Sequence, residues 1–180
     1  GPCINATGRL GDAKTSLEFL LETDSYKANE RAIELLNINN ARKDMTEQGT
    51  KTAIELLEKS DRLLMGAVPE TGVAALSDKV LVMYIPKLHE SLVGIIAGRI
   101  KERYYRPVLL FTDGEEEGII KGSGRSIEGY NMYDEINKCS DYFTKFGGHE
   151  MAAGFSMEKR NLARLREKMN TNCTLDEKLL

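Results

Sequence analysis

Three short polar clusters framed by glycine are the places in this 180-residue sequence where a phosphate could be held. They are Asn5-Ala6-Thr7-Gly8-Arg9, Gly122-Ser123-Gly124-Arg125-Ser126, and Phe146-Gly147-Gly148-His149 with Ala152-Ala153-Gly154 behind it. Glycine leaves backbone N–H groups uncovered and lets an anion come close. Arg125 offers a planar fork that can meet a phosphate with two hydrogen bonds, and Ser123 places a hydroxyl beside it. Gly147 and Gly148 would let His149 project from a glycine turn onto a ligand. No cluster has the spacing of a P-loop or a dinucleotide fingerprint, and each taken singly also fits an ordinary turn.

A hydrolytic metal centre cannot be assembled from these residues. The two histidines, His89 and His149, are far apart in the chain, with no His-x₃-His arrangement. Carboxylates fall mainly in charge-rich helical stretches and in Glu115-Glu116-Glu117, and no Asp-His-His or Asp-x-Asp cluster occurs. No metal ligand and no bound cofactor are therefore expected in this chain. Cys3, Cys139 and Cys173 are widely spaced and form no CxxC pair, which predicts small hydrophobes in a reducing cytoplasm rather than a disulfide framework or a zinc site.

Composition restricts the setting. Hydrophobic residues make up 41% and charged residues 29%, the balance of a soluble globular protein. No apolar run approaches the roughly 20 residues of a membrane span, so no membrane partner is expected. A net charge of −3 gives no overall footprint for nucleic acid, so any phosphate binding has to be local.

The elements that must position the clusters can be read in order. Residues 1–11 read as a turn-rich opening loop. Asp12 can cap a helix over 14–22 with Leu17, Leu20 and Leu21 on one face. Asp24 or Ser25 starts a second helical stretch that would run about 50 Å between Tyr26 and Glu58. Its middle, 42–52, is polar all round, as in a helix that bridges solvent between lobes. Gly49 marks a bend there, or a turn between two helices. From Lys79 the pattern becomes α/β. Val80–Ile85 is a buried strand closed by Pro86, and Ser91–Tyr104 is a helix whose small residues permit close packing. Val108–Phe111 and Gly118–Lys121 are strands joined at Asp113-Gly114, with the Ser123 cluster following as a loop. Tyr133–Cys139 reads as helix, Phe143–Gly148 as a run into a glycine turn, Ala152–Met157 as strand and Lys159–Met169 as a closing helix. Thr174–Leu180 tails off as a linker.

Taken together and in order, the clusters resemble a known family. Gly1 to Leu10 (GPCINATGRL) is similar to the segment that closes the catalytic domain of the RecJ exonucleases, in the DHH phosphoesterase superfamily. HESLVGIIAGRIKERYYRP at 89–107, GSGRS at 122–126 and FGGHEMAAGF at 146–155 resemble that family's DHH-associated domain. The resemblance covers nearly the whole chain. It implies that Gly1-Pro2 is native and that the chain continues upstream. The implied fold is α/β: an N-terminal helical connector followed by a small mixed-sheet domain of the DHH-associated type. The implied division is 1–23 as the end of the catalytic domain, 24–68 as the connecting helix, 69–173 as the substrate-binding domain, and 174–180 as a linker to an oligonucleotide-binding domain.

The family cuts single-stranded DNA from the 5′ end with Mn²⁺ or Mg²⁺, in DNA repair and recombination. The resemblance implies that the intact protein is a hydrolase of phosphodiester bonds. It implies equally that this chain, lacking the metal ligands, is inactive unaided. Carried over by position, Ser123, Gly124 and Arg125 resemble the pocket for the terminal 5′-phosphate. His149, with Gly147 and Gly148, resembles the element that contacts the substrate phosphate beside the metals, and Arg9 and Asn5 resemble contacts near the scissile phosphate. Single-stranded DNA is the implied ligand, with a single-strand-binding protein and a helicase as cellular partners of a monomeric enzyme. The sequence departs from the family's pattern at Leu88, Ser91 and Cys3; the first two leave His89 structural, and the third removes one phosphate contact. Two other readings stand beside this one. A short DHH-family phosphodiesterase for oligonucleotides or cyclic dinucleotides would share the Gly-Gly-His element but lack so long a connector. A non-catalytic nucleic-acid-binding module is the other.

Overall fold

The computed structural model describes residues 1–63 and 75–175. The connector's expected end near residue 68 and the tail 176–180 lie outside the described residues. The chain divides into two compact units, Gly1–Gln48 and Gly49–Leu180.

The first unit is helical. Residues Pro2–Leu10 form a helix, α1, where an opening loop was expected. Pro2 supplies a preset φ in the first turn, and the buried face consists of the small residues Ala6 and Thr7, so no large apolar period shows. The Thr7 hydroxyl meets that of Ser16 at 2.8 Å and donates to the Ile4 carbonyl at 2.9 Å. Asp12 caps α2 (Ala13–Leu21) by accepting from the Lys14 N–H at 2.8 Å. Leu17, Leu20 and Leu21 of that helix are exposed. Asp24 accepts from the Tyr26 and Lys27 N–H groups at 2.9 and 3.1 Å and so starts α3.

Helix α3 (Ser25–Leu63) is continuous, with neither a break nor a second helix at Gly49. Inside the second unit, a methyl at Gly49 would come within 2.6 Å of Ile96 Cδ1 and 3.2 Å of Leu88 Cδ2. The glycine thus permits close packing of Ile96 and Leu88 against the helix. Nor is the polar stretch wholly solvated: Thr46 is buried, and its hydroxyl is satisfied by the Arg42 carbonyl at 2.7 Å.

The second unit is built on a five-stranded mixed sheet in the order β1-β2-β3-β5-β4. Its strands are β1 (Leu81–Tyr84), β2 (Val108–Asp113), β3 (Ile119–Arg125), β4 (Phe143–His149) and β5 (Ala152–Glu158). β1 and β2 run parallel, and α4 (Glu90–Tyr104) is the crossover between them. The other three pairs are antiparallel. α4 covers one face, burying Leu92, Val93, Ile96, Ala97 and Ile100. The opposite face carries the larger core, in which Leu109, Phe111, Ile120, Phe155 and Met157 meet α5 (Met132–Asn137) and α6 (Leu162–Asn172). Arg166 of α6 holds Asp78 through two bonds, at 2.6 and 3.1 Å. Leu175, expected in the linker, is buried in that core. Cys139 and Cys173 are also buried there and, like Cys3, unpaired; burial pushes both buried thiols up.

Candidate phosphate-binding face

Two expected turns are strands. Ser123 and Arg125 lie inside β3 rather than in a loop after it, and Gly147, Gly148 and His149 lie inside β4 rather than in a turn. Glycine suggested turns at 122 and 124, but packing explains these residues. A Cβ at Gly122 would overlap the Phe155 ring and come within 2.7 Å of the Leu110 carbonyl oxygen, and one at Gly124 would stand 3.0 Å from Met132 Sδ.

Strand geometry then gathers the site. Ser123 pairs with Gly154 of β5, which pairs with Gly147 of β4; Arg125 pairs with Ala152, which pairs with His149. Opposed residues in antiparallel strands share a face, and residues two apart on one strand share it too. Ser123, Arg125, Gly147 and His149 therefore face one side of the sheet. α4 lies on that side over β3, because the Arg125 guanidinium and Ser123 hydroxyl are the neighbours a Cβ at Gly94 would meet. Toward β4 the same face is open, with Gly154, Gly147, Lys145 and His149 all exposed.

Within this row, Arg125 Nη1 donates to Ser123 Oγ and to the Gly124 carbonyl, both at 2.7 Å. Ser123 Oγ in turn donates to the Ala153 carbonyl at 3.2 Å. Gly124 thus contributes its carbonyl, while its bare α-carbon faces Met132 across the sheet. Arg125 is half-buried, and Ser123 Oγ, itself anchored on the Ala153 carbonyl, holds its guanidinium in a preset orientation. His149 is exposed, and its Nδ1 accepts the Met151 N–H at 3.3 Å. A neutral ring so held carries its proton on Nε2. The turn after His149 is fixed to the segment after β3: Ser126 N–H donates to the Met151 carbonyl and Met132 N–H to the Glu150 carbonyl, both at 2.9 Å.

Other charges modulate the face. Lys121, two residues before Ser123, is held by Glu115 at 2.8 Å and Glu90 at 3.1 Å, and those carboxylates keep its ammonium protonated above the usual lysine range. A cavity of about 230 Å³ lies there, lined by Glu90, Ser91, Lys121 and Ser156 among others. Lys145, two residues before Gly147 on β4, adds an exposed cation that sequence reading passed over, although Lys145, Gly147 and His149 alternate as one strand face should.

Asn5 and Arg9 belong to the other unit. Four residues apart on α1, both exposed, they share one side of that helix. His89 is the N-cap residue of α4, and its Nδ1 lies 2.8 Å from Ser91 Oγ. Among the described residues no group of three His, Cys, Asp or Glu side chains converges as a cation site.

Residues 77–174 match the DHHA1 domain family, and the chain belongs to that family. It is similar to the single-stranded-DNA-specific exonuclease RecJ of Escherichia coli, at 38% identity over 100% of this chain and 30% of that protein. It is similar also to RecJ of Bacillus subtilis, at 33% identity over 94% of this chain and 20% of that one. The crystal structure of Thermus thermophilus RecJ in complex with Mg²⁺ matches with a TM-score of 0.74 at 30% identity, covering 94% of this chain and 24% of that one. The chain spans between a fifth and a third of the length of the curated relatives it matches.

Proposed function

We propose that this chain is the phosphate-gripping part of a metal-dependent 5′-to-3′ single-stranded-DNA exonuclease. The observation that carries the reading is the placement of Ser123, Arg125, Gly147 and His149 on one sheet face, half of it open to solvent. Similarity to exonucleases named for single-stranded DNA supplies the substrate class.

In this reading Ser123 and Arg125 hold the terminal 5′-phosphate. The guanidinium, oriented by Ser123 and the Gly124 carbonyl, supplies charge-assisted hydrogen bonds. His149 donates from Nε2 to a non-bridging oxygen of the phosphate being cleaved and stabilises the charge that develops there. Exposed Gly147 leaves room for the nucleotide between the two groups. Asn5 and Arg9, on the helical unit, are further contacts to the DNA strand. Solved relatives hold Mg²⁺ or manganese; a divalent ion of that kind serves the longer protein, its ligands outside the described residues. The proposed division is 1–23 with the catalytic domain, 24–68 as connector, 69–173 as this domain, and 174–180 as linker. The proposed setting is a monomeric enzyme of the cytoplasm working beside a single-strand-binding protein and a helicase.

The test uses the longer protein with Mn²⁺ and a 5′-phosphorylated single strand. Mononucleotides should be released from the 5′ end, and His149→Ala should lower kcat by roughly 10²-fold or more while KM changes little. A loss confined to KM would contradict the role given to His149.

A further inference from the structure

Helix α4 contains two glycines in its interior, Gly94 and Gly98, where glycine weakens a helix relative to alanine. A methyl at Gly98 would meet nothing within 4 Å. At Gly94 the surroundings differ. A methyl there would overlap Arg125 Nη2, stand 3.0 Å from Ser123 Oγ and lie 3.2 Å from Arg125 Cζ. From the other side, Nη1 of the same guanidinium is held by Ser123 Oγ and the Gly124 carbonyl, both at 2.7 Å. The guanidinium is thus confined between strand β3 and the bare backbone of α4. The Lys121–Glu90 ion pair at 3.1 Å ties the first turn of the helix to the same strand, beside the confined group.

The geometry points to Gly94 as a positioning residue for the phosphate pocket: its missing side chain fixes the plane in which Arg125, held by Ser123, presents its donors. This rests on the reading of that pair as the 5′-phosphate site. A planar fork binds phosphate well only when it arrives already oriented. The atom a new methyl would displace is the tip of a flexible side chain, so Gly94→Ala keeps the fold. Arg125 swings off Ser123, and its preset orientation is lost. No contact between residue 94 and the ligand is needed for this effect.

The experiment titrates a fluorescein-labelled single strand into the 180-residue chain at fixed low salt, once with a 5′-phosphate and once with a 5′-hydroxyl. The readout is the ratio of the two affinities, which a general loss of folded protein does not move. Gly94→Ala should cut the wild-type ratio by about tenfold, the equivalent of one charge-assisted hydrogen bond. Gly98→Ala should leave it unchanged. In an Arg125→Ala background, Gly94→Ala should cost nothing further, since both act on one group. A phosphate preference that survives Gly94→Ala overturns the role of Gly94 alone, as does a further loss in the Arg125→Ala background or a Gly94→Ala chain that fails to fold by circular dichroism. A wild-type ratio of one overturns the phosphate-site reading and the role of Gly94 together.

Discussion

Arg125 and His149 stand opposite the same residue, Ala152, from the two strands that flank β5. Their backbones are therefore separated by two strand spacings, roughly 10 Å, and their side chains leave the sheet on one side. A separation set by a ladder of backbone hydrogen bonds is less variable than one set by two loops. Sites carried on regular elements hold their geometry better than sites on loops.

The segment after β3 strengthens this coupling, and Ser126 is its anchor. Ser126 is fully buried, and its hydroxyl donates to the Tyr130 carbonyl at 2.5 Å while its N–H holds the Met151 carbonyl. Ser126→Ala leaves the Tyr130 carbonyl without that donor. It is expected to destabilise the domain by about 1–3 kcal/mol, read as a lower urea midpoint at unchanged slope.

Gly122 and Gly154 separate packing from surface freedom on adjacent strands. A methyl at Gly122 meets the Phe155 ring and the Leu110 carbonyl, whereas one at Gly154 meets nothing within 4 Å. Gly122→Ala should destabilise by about 1–3 kcal/mol through overpacking. Gly154→Ala should unfold within about 0.5 kcal/mol of wild type. Thermal or urea denaturation of the two variants side by side checks the contrast.

These glycines also show where the sequence could be read and where it could not. Continuous apolar runs marked β1 and β2, and the small-residue spacing of 92–100 marked α4, because burial of that kind leaves a local signature. Asp12 and Asp24 marked helix starts for the same reason, since capping is local. Gly122 and Gly124 signalled a loop, yet a strand passes through them because Phe155 and Met132 occupy the space their side chains would fill. Gly8 and the small size of the packed residues hid α1 in the same way, its buried face being Ala6 and Thr7. The chemistry-bearing residues were legible by type, and the alternation of Ser123 with Arg125 and of Gly147 with His149 was present. Their convergence was not legible, because it depends on β5 lying between β3 and β4 and on the register of both pairs, which local patterns do not encode.

A pH dependence follows from the end of β2. Tyr84 donates its hydroxyl to Asp113, and the Lys87 N–H donates to the other carboxylate oxygen at 2.8 Å. These bonds, the Tyr84 one foremost, hold the Asp113 carboxyl below its ordinary range, near 3.9 in an unfolded chain. A depressed folded value means the carboxylate stabilises the fold above that unfolded value, and the contribution is lost as pH falls through the folded one. The melting-temperature difference between wild type and Asp113→Asn should thus be constant above about pH 5 and shrink below about pH 4. A difference that does not change across that range would contradict the assignment. Because Asp113 is largely exposed, added salt should reduce the effect.

Arg125 is the central ligand of the proposed phosphate site. The decisive measurement is the affinity of the chain for a single strand bearing a 5′-phosphate relative to the same strand bearing a 5′-hydroxyl, for wild type and for Arg125→Ala, at one stated ionic strength. Wild type should prefer the phosphate by roughly tenfold or more, the value of a charge-assisted hydrogen bond, and Arg125→Ala should bring the two affinities together. Equal affinities in wild type, or a preference unchanged in Arg125→Ala, would contradict that role.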